Sequence, residues 1–399
     1  MRRFCAILIG LVFFLAGLFK LIDPVGAGLI VRSYLDFFHL GFLGGLSGVI
    51  AFLLSSVEAV TGLALLGGAR RRLSAIVSIV LIGFFTVVTF ILMLANPKMD
   101  CGCFGEAFHL THTQTFIKNL ILCALAAGAF IPLPKTSSRK KLTVILSIIT
   151  LLIGVYSLFF LPLWDFTDMS AGDRLYDTTH PFPPVKAQEP GFIYEKDGVQ
   201  KEFSLDALPD STWTFVSVGE TPEVKTPSNL VPVTSAAGMV SDSVLLHGRV
   251  LAVSVYDVDA MSDSDWSDAA RLLESASAKG MSPVLIAASA SEDFEKALES
   301  LATEERLKLM MVSYFSDHKV LMTLNRSNGG VVVLDEGLIV EKWSANSYPS
   351  DRQLQKIAGQ NPGNLIMSAS VPGRFWLCAF IVAAVLLSLY TYRKKVFKA

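Results

Sequence analysis

Six long apolar stretches punctuate the chain: residues 4–22, 43–66, 73–95, 116–133, 142–163 and 375–390. Lipid offers a backbone no hydrogen-bond partners, so apolar runs of about 18–25 residues predict membrane-spanning helices. The last stretch is the shortest, but Arg374 and Arg393 flank it and can snorkel to the interfaces. The first has no A-x-A-like cleavage site and runs straight into Lys20, which predicts a retained anchor and not a signal peptide. Between the fifth and sixth stretches the pattern changes. After a linker stiffened by Pro181-Phe182-Pro183-Pro184 come strand-like runs at 192–194 and 200–205 around an Asp-Gly turn, then another at 213–218. Strands at 250–256, 283–288 and 309–315 alternate with helices at 262–279, 292–301 and 317–324. Strands at 330–334 and 338–343 flank Asp335-Glu336-Gly337, and a helix at 350–358 closes the segment. The expected fold is an α-helical membrane bundle plus an α/β segment, a mixed sheet with helices on both faces.

Charge separates the same regions. Of 399 residues, 52% are hydrophobic and 17% charged, and the net charge is −1. Residues 1–163 hold 13 Lys and Arg against 5 Asp and Glu, residues 164–372 hold 16 against 30, and residues 373–399 hold 5 against none. Basic clusters at Arg2-Arg3, Arg70-Arg71-Arg72, Lys135 with Arg139-Lys140-Lys141, and Arg393-Lys394-Lys395 with Lys398 fall on one side if the chain crosses six times. Positive loops stay in the cytoplasm. The expected location is therefore the inner membrane, with both termini cytoplasmic and residues 164–372 periplasmic. The loops at 23–42 and 96–115 share the outer side. An acidic outer segment excludes nucleic acid as a partner. It leaves the lipid bilayer and a periplasmic protein.

Three blocks carry a resemblance. Gly17-Leu18-Phe19-Lys20-Leu21-Ile22-Asp23-Pro24 ends the first stretch. Glu58-Ala59-Val60-Thr61-Gly62-Leu63-Ala64-Leu65-Leu66-Gly67 lies in the second. Asn96-Pro97-Lys98-Met99-Asp100-Cys101-Gly102-Cys103-Phe104-Gly105-Glu106 precedes the fourth. Together they resemble the DoxX family and, more narrowly, its MauE (methylamine utilisation) branch. The resemblance implies a four-helix bundle over residues 1–133, with a redox-linked or maturation role for periplasmic proteins. A fifth helix then falls in 134–163, an extracytoplasmic domain in 164–372, and a sixth helix with a basic tail in 373–399. Residues 192–358 resemble the thioredoxin fold of membrane-tethered thiol-disulfide proteins, and the layout resembles Bacteroidetes DoxX proteins that carry such a domain. The family's Cys-x-x-Cys position holds Asp257-Val258-Asp259-Ala260, its cis-proline position holds Asn328-Gly329-Gly330, and residues 164–372 contain no cysteine. Thiol-disulfide exchange needs a thiolate nucleophile, so this domain is expected to be degenerate.

The candidate chemistry lies in the bundle. Cys101 and Cys103 form a Cys-x-Cys pair facing an oxidising compartment, suited to a labile disulfide. The alternatives are a permanent loop staple or two reduced thiols that merely pack. A further alternative is a metal site of Cys101, Cys103, His109 and His112. Glu58 is a carboxylate inside a span, a candidate proton relay or ligand contact, or else a group paired within the bundle. Lys20 reads as a snorkelling or head-group residue, Cys5 as too distant to pair with Cys101, Cys123 as packing, and Cys378 as a candidate resolving thiol. No cofactor follows outright; a quinone is the candidate electron acceptor of a membrane oxidoreductase component. The competing reading is a non-catalytic scaffold whose degenerate domain binds a periplasmic partner, and a small-molecule carrier is a third.

The topology is testable with single cysteines and an impermeant thiol reagent in intact cells. Positions near Asp100 and within 164–372 are expected to label, and positions at Arg71 or Lys140 are not; labelling at Arg71 reverses the orientation.

Overall fold

The computed structural model describes the chain except residues 98, 100, 136–140, 178–191, 197–198, 204–207, 211, 219–226 and 394–399. The Pro181–Pro184 linker, the Asp197-Gly198 turn and the basic residues at 139–140 and 394–398 therefore lie outside the described residues. Helices α1 (Arg2–Ile22), α3 (Ser47–Leu66), α4 (Arg71–Ala95), α5 (His112–Phe130) and α6 (Lys141–Phe159) follow five of the apolar stretches. With the short 3₁₀ turn Gly41–Leu46 ahead of α3, these five are long and apolar enough to cross a membrane. The sixth stretch forms only a shorter apolar part, Arg374–Tyr390, of a longer helix α13 (Pro362–Arg393). That helix starts ahead of the boundary expected at 372/373.

One helix was not expected. The segment read as a loop at 23–42 contains α2 (Pro24–Phe37). Its start is written locally: Asp23 caps it by accepting from Gly26 N at 2.9 Å, and Pro24 opens the first turn. Proline is tolerated there because its missing N–H would be unpaired anyway.

The bundle is set by glycines. A Cβ added at Gly17 would run into the backbone of Ser55 and Ala59, and one at Gly62 into the backbone of Phe14. Helices α1 and α3 thus touch backbone to backbone. In a bilayer, where lipid competes for apolar contact, such close packing is a main source of helix association. Helices α5 and α6 also pack on α1. Arg2, Arg3 and Arg71 meet around one small cavity at the end of the bundle where α1 begins. The sheet-bearing region meets the end where α1 stops.

That region holds two sheets. Strands β2 (Phe192–Lys196), β3 (Val199–Phe203) and β4 (Thr214–Val218) form a small antiparallel sheet in the order β3-β2-β4. The larger sheet has the order β7-β6-β5-β8-β9, built from β5 (Arg249–Val255), β6 (Ser282–Ala287), β7 (Ser313–Phe315), β8 (Gly330–Asp335) and β9 (Leu338–Trp343). Strands β5, β6 and β7 are mutually parallel; β8 runs antiparallel to β5, and β9, antiparallel to β8, returns to the direction of the first three. Alternate residues serve opposite faces. Leu251, Val253, Val331 and Val333 pack with α8 (Asp263–Ala278) and α12 (Asp351–Gly359) on one side. Val250, Ala252, Val332 and Leu334 pack with α7 (Ser243–Leu246) and α11 (His318–Leu324) on the other. The strand expected at 309–315 is shorter, because Leu309–Met311 end a helix, α10 (Thr303–Met311), separate from α9 (Ser291–Ala297).

The two halves are tied by buried charge. The Arg326 guanidinium sits 2.9 Å from Asp23 Oδ2 and 3.8 Å from Glu106 Oε1, with side chains of Arg326 and Asp23 only 4% and 3% exposed. Burial works against the Arg326 charge, yet Asp23, Glu106 and Asp165 outweigh it and lift its pKa above the ordinary value. Lys342 and Asp165 form a second link at 2.8 Å.

Removing one partner of a buried pair strands the other charge, at about 3–5 kcal/mol. Arg326→Leu is therefore expected to destabilise the protein by that order in thermal unfolding, and adding Asp23→Asn should recover part of the loss. No recovery would mean that Arg326 acts by packing alone. A second expectation concerns pH. Burial raises the Glu341 carboxyl from 4.5 to about 7, opposed by Lys356. An unfolded chain ionises this group more readily, so its contribution is favourable at low pH and is lost as pH rises toward 7 and beyond. Glu341→Gln should add on the order of 1–2 kcal/mol at pH 8 and little at pH 4, measured by denaturant unfolding.

Candidate functional site

The loop between α4 and α5 is shaped by residues that tolerate left-handed backbone. Asn96 ends α4 at φ 42°, Gly102 has φ 55° and Gly105 has φ 62°. Between the glycines runs the short strand β1 (Cys103–Glu106). A Cβ at Gly102 would collide with Ile30 of α2, and Gly105 rests on the stem of Lys20. The Tyr34 hydroxyl of α2 donates to the Cys101 carbonyl. The unexpected helix α2 is thus the wall against which the Cys-Gly-Cys turn is moulded. Thr111 then caps α5 in a capping box with Gln114, which puts His112 in the helix's first turn.

This arrangement makes a thiol–imidazole pair. Cys101 Sγ lies 2.7 Å from His112 Nδ1, and His112 Nε2 lies 2.9 Å from the Pro97 carbonyl oxygen. A carbonyl only accepts, so Nε2 carries a hydrogen and donates it, and Nδ1 is left to take the proton of the Cys101 thiol. Neither Cys101 nor Cys103 is in a disulfide. Cys101 is buried and Cys103 half-buried.

Both cysteines line an apolar cavity of about 410 Å³ inside the bundle, walled by α1–α5. Glu58 and Lys20 line it too. The reading of Lys20 as a snorkelling residue is overturned: its ammonium turns inward and forms a buried ion pair with Glu58. The reason is the α1–α3 contact, which brings the end of α1 against the middle of α3 and leaves each charge the other as nearest partner. Asn119 of α5 donates to Thr89 Oγ1 of α4 at 3.0 Å at the same cavity.

The other candidates separate from this centre. His109 is exposed and lies off the cavity. Among the described residues no three His, Cys, Asp or Glu side chains are placed to hold a metal ion. Cys123 lies 3.4 Å from Thr86 Oγ1 between α4 and α5, Cys5 packs near Gly128, and Cys378 is exposed on α13. His112, considered in the sequence only as a metal ligand, is the residue whose role the fold changes. The sequence signal was present: Thr111-His112-Thr113-Gln114 is a capping box, which places the histidine where the preceding loop returns.

In the sheet, the strand end after β5 forms an open polar groove. Asp257, Asp259, Asp293, Lys296 and His318 surround it. Asn328 closes the base, accepting from Tyr256 N and Asp257 N at 2.9 and 3.0 Å and donating to Asp257 O at 2.7 Å. No thiol is present there.

Comparison with known proteins falls on both halves. Residues 2–132 match the family described as Methylamine utilisation protein MauE, a span that holds α1–α5 and every residue of the thiol-lined cavity. Residues 189–221 match a domain of unknown function, DUF8463, over the small three-stranded sheet. Protein TlpB of Flavobacterium psychrophilum is 28% identical over 183 residues, 43% of this chain and 49% of that protein. The chain thus spans about half the length of this curated relative. No solved structure matches the chain. This is a multi-pass membrane protein whose cysteine-bearing bundle is similar to MauE.

Proposed function

We propose that the chain is an inner-membrane redox or maturation factor for periplasmic proteins, working through reversible oxidation of Cys101 and Cys103. The observation that carries this reading is the Cys101–His112 pair at 2.7 Å, with the histidine's other nitrogen fixed by a carbonyl. A structural staple needs no base. A thiol that must be deprotonated to react does. In the oxidising direction, His112 takes the Cys101 proton, the two sulfurs join, and two electrons and two protons leave to an acceptor. In the reverse direction the disulfide accepts electrons from a client dithiol and oxidises it. The DoxX-type relation and the periplasmic placement of residues 164–372 belong to this proposal.

The sheet region is read as a degenerate thioredoxin-like domain. The strand order β7-β6-β5-β8-β9 and the Asn328-Gly329-Gly330 turn facing the end of β5 support it. Its role is to present a client to the bundle. The turn that holds the β5 end through Asn328 also holds the bundle through Arg326, so a client in the groove would sit close to the strand bearing Cys103. The scaffold reading stays as the second, favoured by the missing thiol in that groove.

Alkylation-shift gels on cells separate the two. Wild-type Cys101 and Cys103 are expected to show a mixed redox population, and Cys101→Ser and Cys103→Ser each to abolish it together with function. His112→Ala should slow re-oxidation of the reduced pair by roughly a hundredfold, the usual scale for loss of a general base. Serine variants that support wild-type growth wherever a deletion fails would leave the scaffold reading in place.

A further inference from the structure

We infer that the thiol-lined cavity is a binding site for a quinone headgroup, with the Lys20–Glu58 pair as its polar contact. The inference rests on the redox reading and names the electron acceptor.

Four observations converge. The volume, about 410 Å³, lies within the range of small-molecule sites. The walls are mostly aliphatic and aromatic, and residues of α4 that line it, Phe84 and Ile91, are also exposed on the bundle surface, so the cavity is reached from the lipid side. The ligand is therefore a membrane-soluble molecule and not an aqueous metabolite. Inside this apolar space stands a charge pair that does not join two elements at the surface but reaches across the cavity wall from α1 to α3. A bundle has no packing need for such a pair, because apolar side chains of equal volume serve as well or better. Both thiols open on the same space.

Redox chemistry selects the ligand class. Joining two thiols releases two electrons and two protons. A quinone takes up both pairs, its two carbonyl oxygens becoming hydroxyls, so atoms and electrons balance without a further reactant. The Lys20 ammonium can donate a hydrogen bond to one quinone oxygen and stabilise charge that develops there. Glu58 holds the ammonium in place. The stem of Lys20 lies directly beneath Gly105, two residues from Cys103, so the charge that would meet the oxygen and the sulfur that gives up electrons are fixed against one another.

Equilibrium dialysis of the full-length protein in nanodiscs with a labelled short-chain benzoquinone tests this. One site per chain is expected. Glu58→Gln should weaken binding at least tenfold. Val88→Trp, which fills the cavity from α4 without touching the ion pair, should do the same while thermal unfolding stays unchanged. In both variants oxidation of the reduced cysteines by the quinone should slow in proportion, while oxidation by diamide does not. Absence of wild-type binding, or binding unaffected by both variants, overturns the inference. If that happens while Cys101 and Cys103 still cycle in cells, the redox reading stands with another acceptor. If quinone binds but the pair never cycles, the site stands and the redox reading falls.

Discussion

The bundle depends on the contact between α1 and α3. Gly17 and Gly62 let two backbones touch, and that approach leaves Lys20 and Glu58 enclosed together. Each charge alone would be expensive in an apolar setting; as a pair they are tolerable only while the helices stay close. The same contact positions the floor of the cavity and the stem on which Gly105 rests. Packing, ion pair and cysteine loop are therefore one cooperative unit.

How much of this was readable beforehand depends on the range of the interactions. The membrane helices were legible because lipid imposes a local rule, a sufficient run of apolar residues. The β5, β6 and β8 strands were legible because strands covered on both faces read as short apolar runs, and turn residues bound these and β9. The Cys-Gly-Cys turn stood out by its composition as a candidate. Helix α2 was missed since its apolar run is broken by Arg32 and Asp36, and only Asp23-Pro24 announces it. The ends of β7 and α10 were misjudged because Leu309–Met311 suit either element and tertiary packing decides. Lys20 was misread because snorkelling and pairing look the same until the partner helix is placed. The Cys101–His112 pair joins residues close in sequence, yet only the loop's return to the start of α5 reveals it.

The sheet region bears on the bundle through one turn. Asn325 anchors that turn to β8 and β9 by donating to Val331 O and Trp343 O at 3.1 Å. Arg326 reaches the bundle and Asn328 holds the end of β5. Four successive residues thus connect the groove of the sheet with the helix ends beside the thiols. A region without a thiol of its own is thereby joined to the bundle that carries the cysteines.

The Arg326–Asp23 link also has a meaning in time. Its two residues are 303 positions apart. While the chain is being synthesised, α1 enters the bilayer and Asp23 reaches its place at the head of α2 long before Arg326 exists. The carboxylate must wait, hydrated, until the sheet has formed and delivered the guanidinium. Only then can the end of the bundle lose its water. The seal between the two halves is therefore the last of these contacts that the growing chain can make.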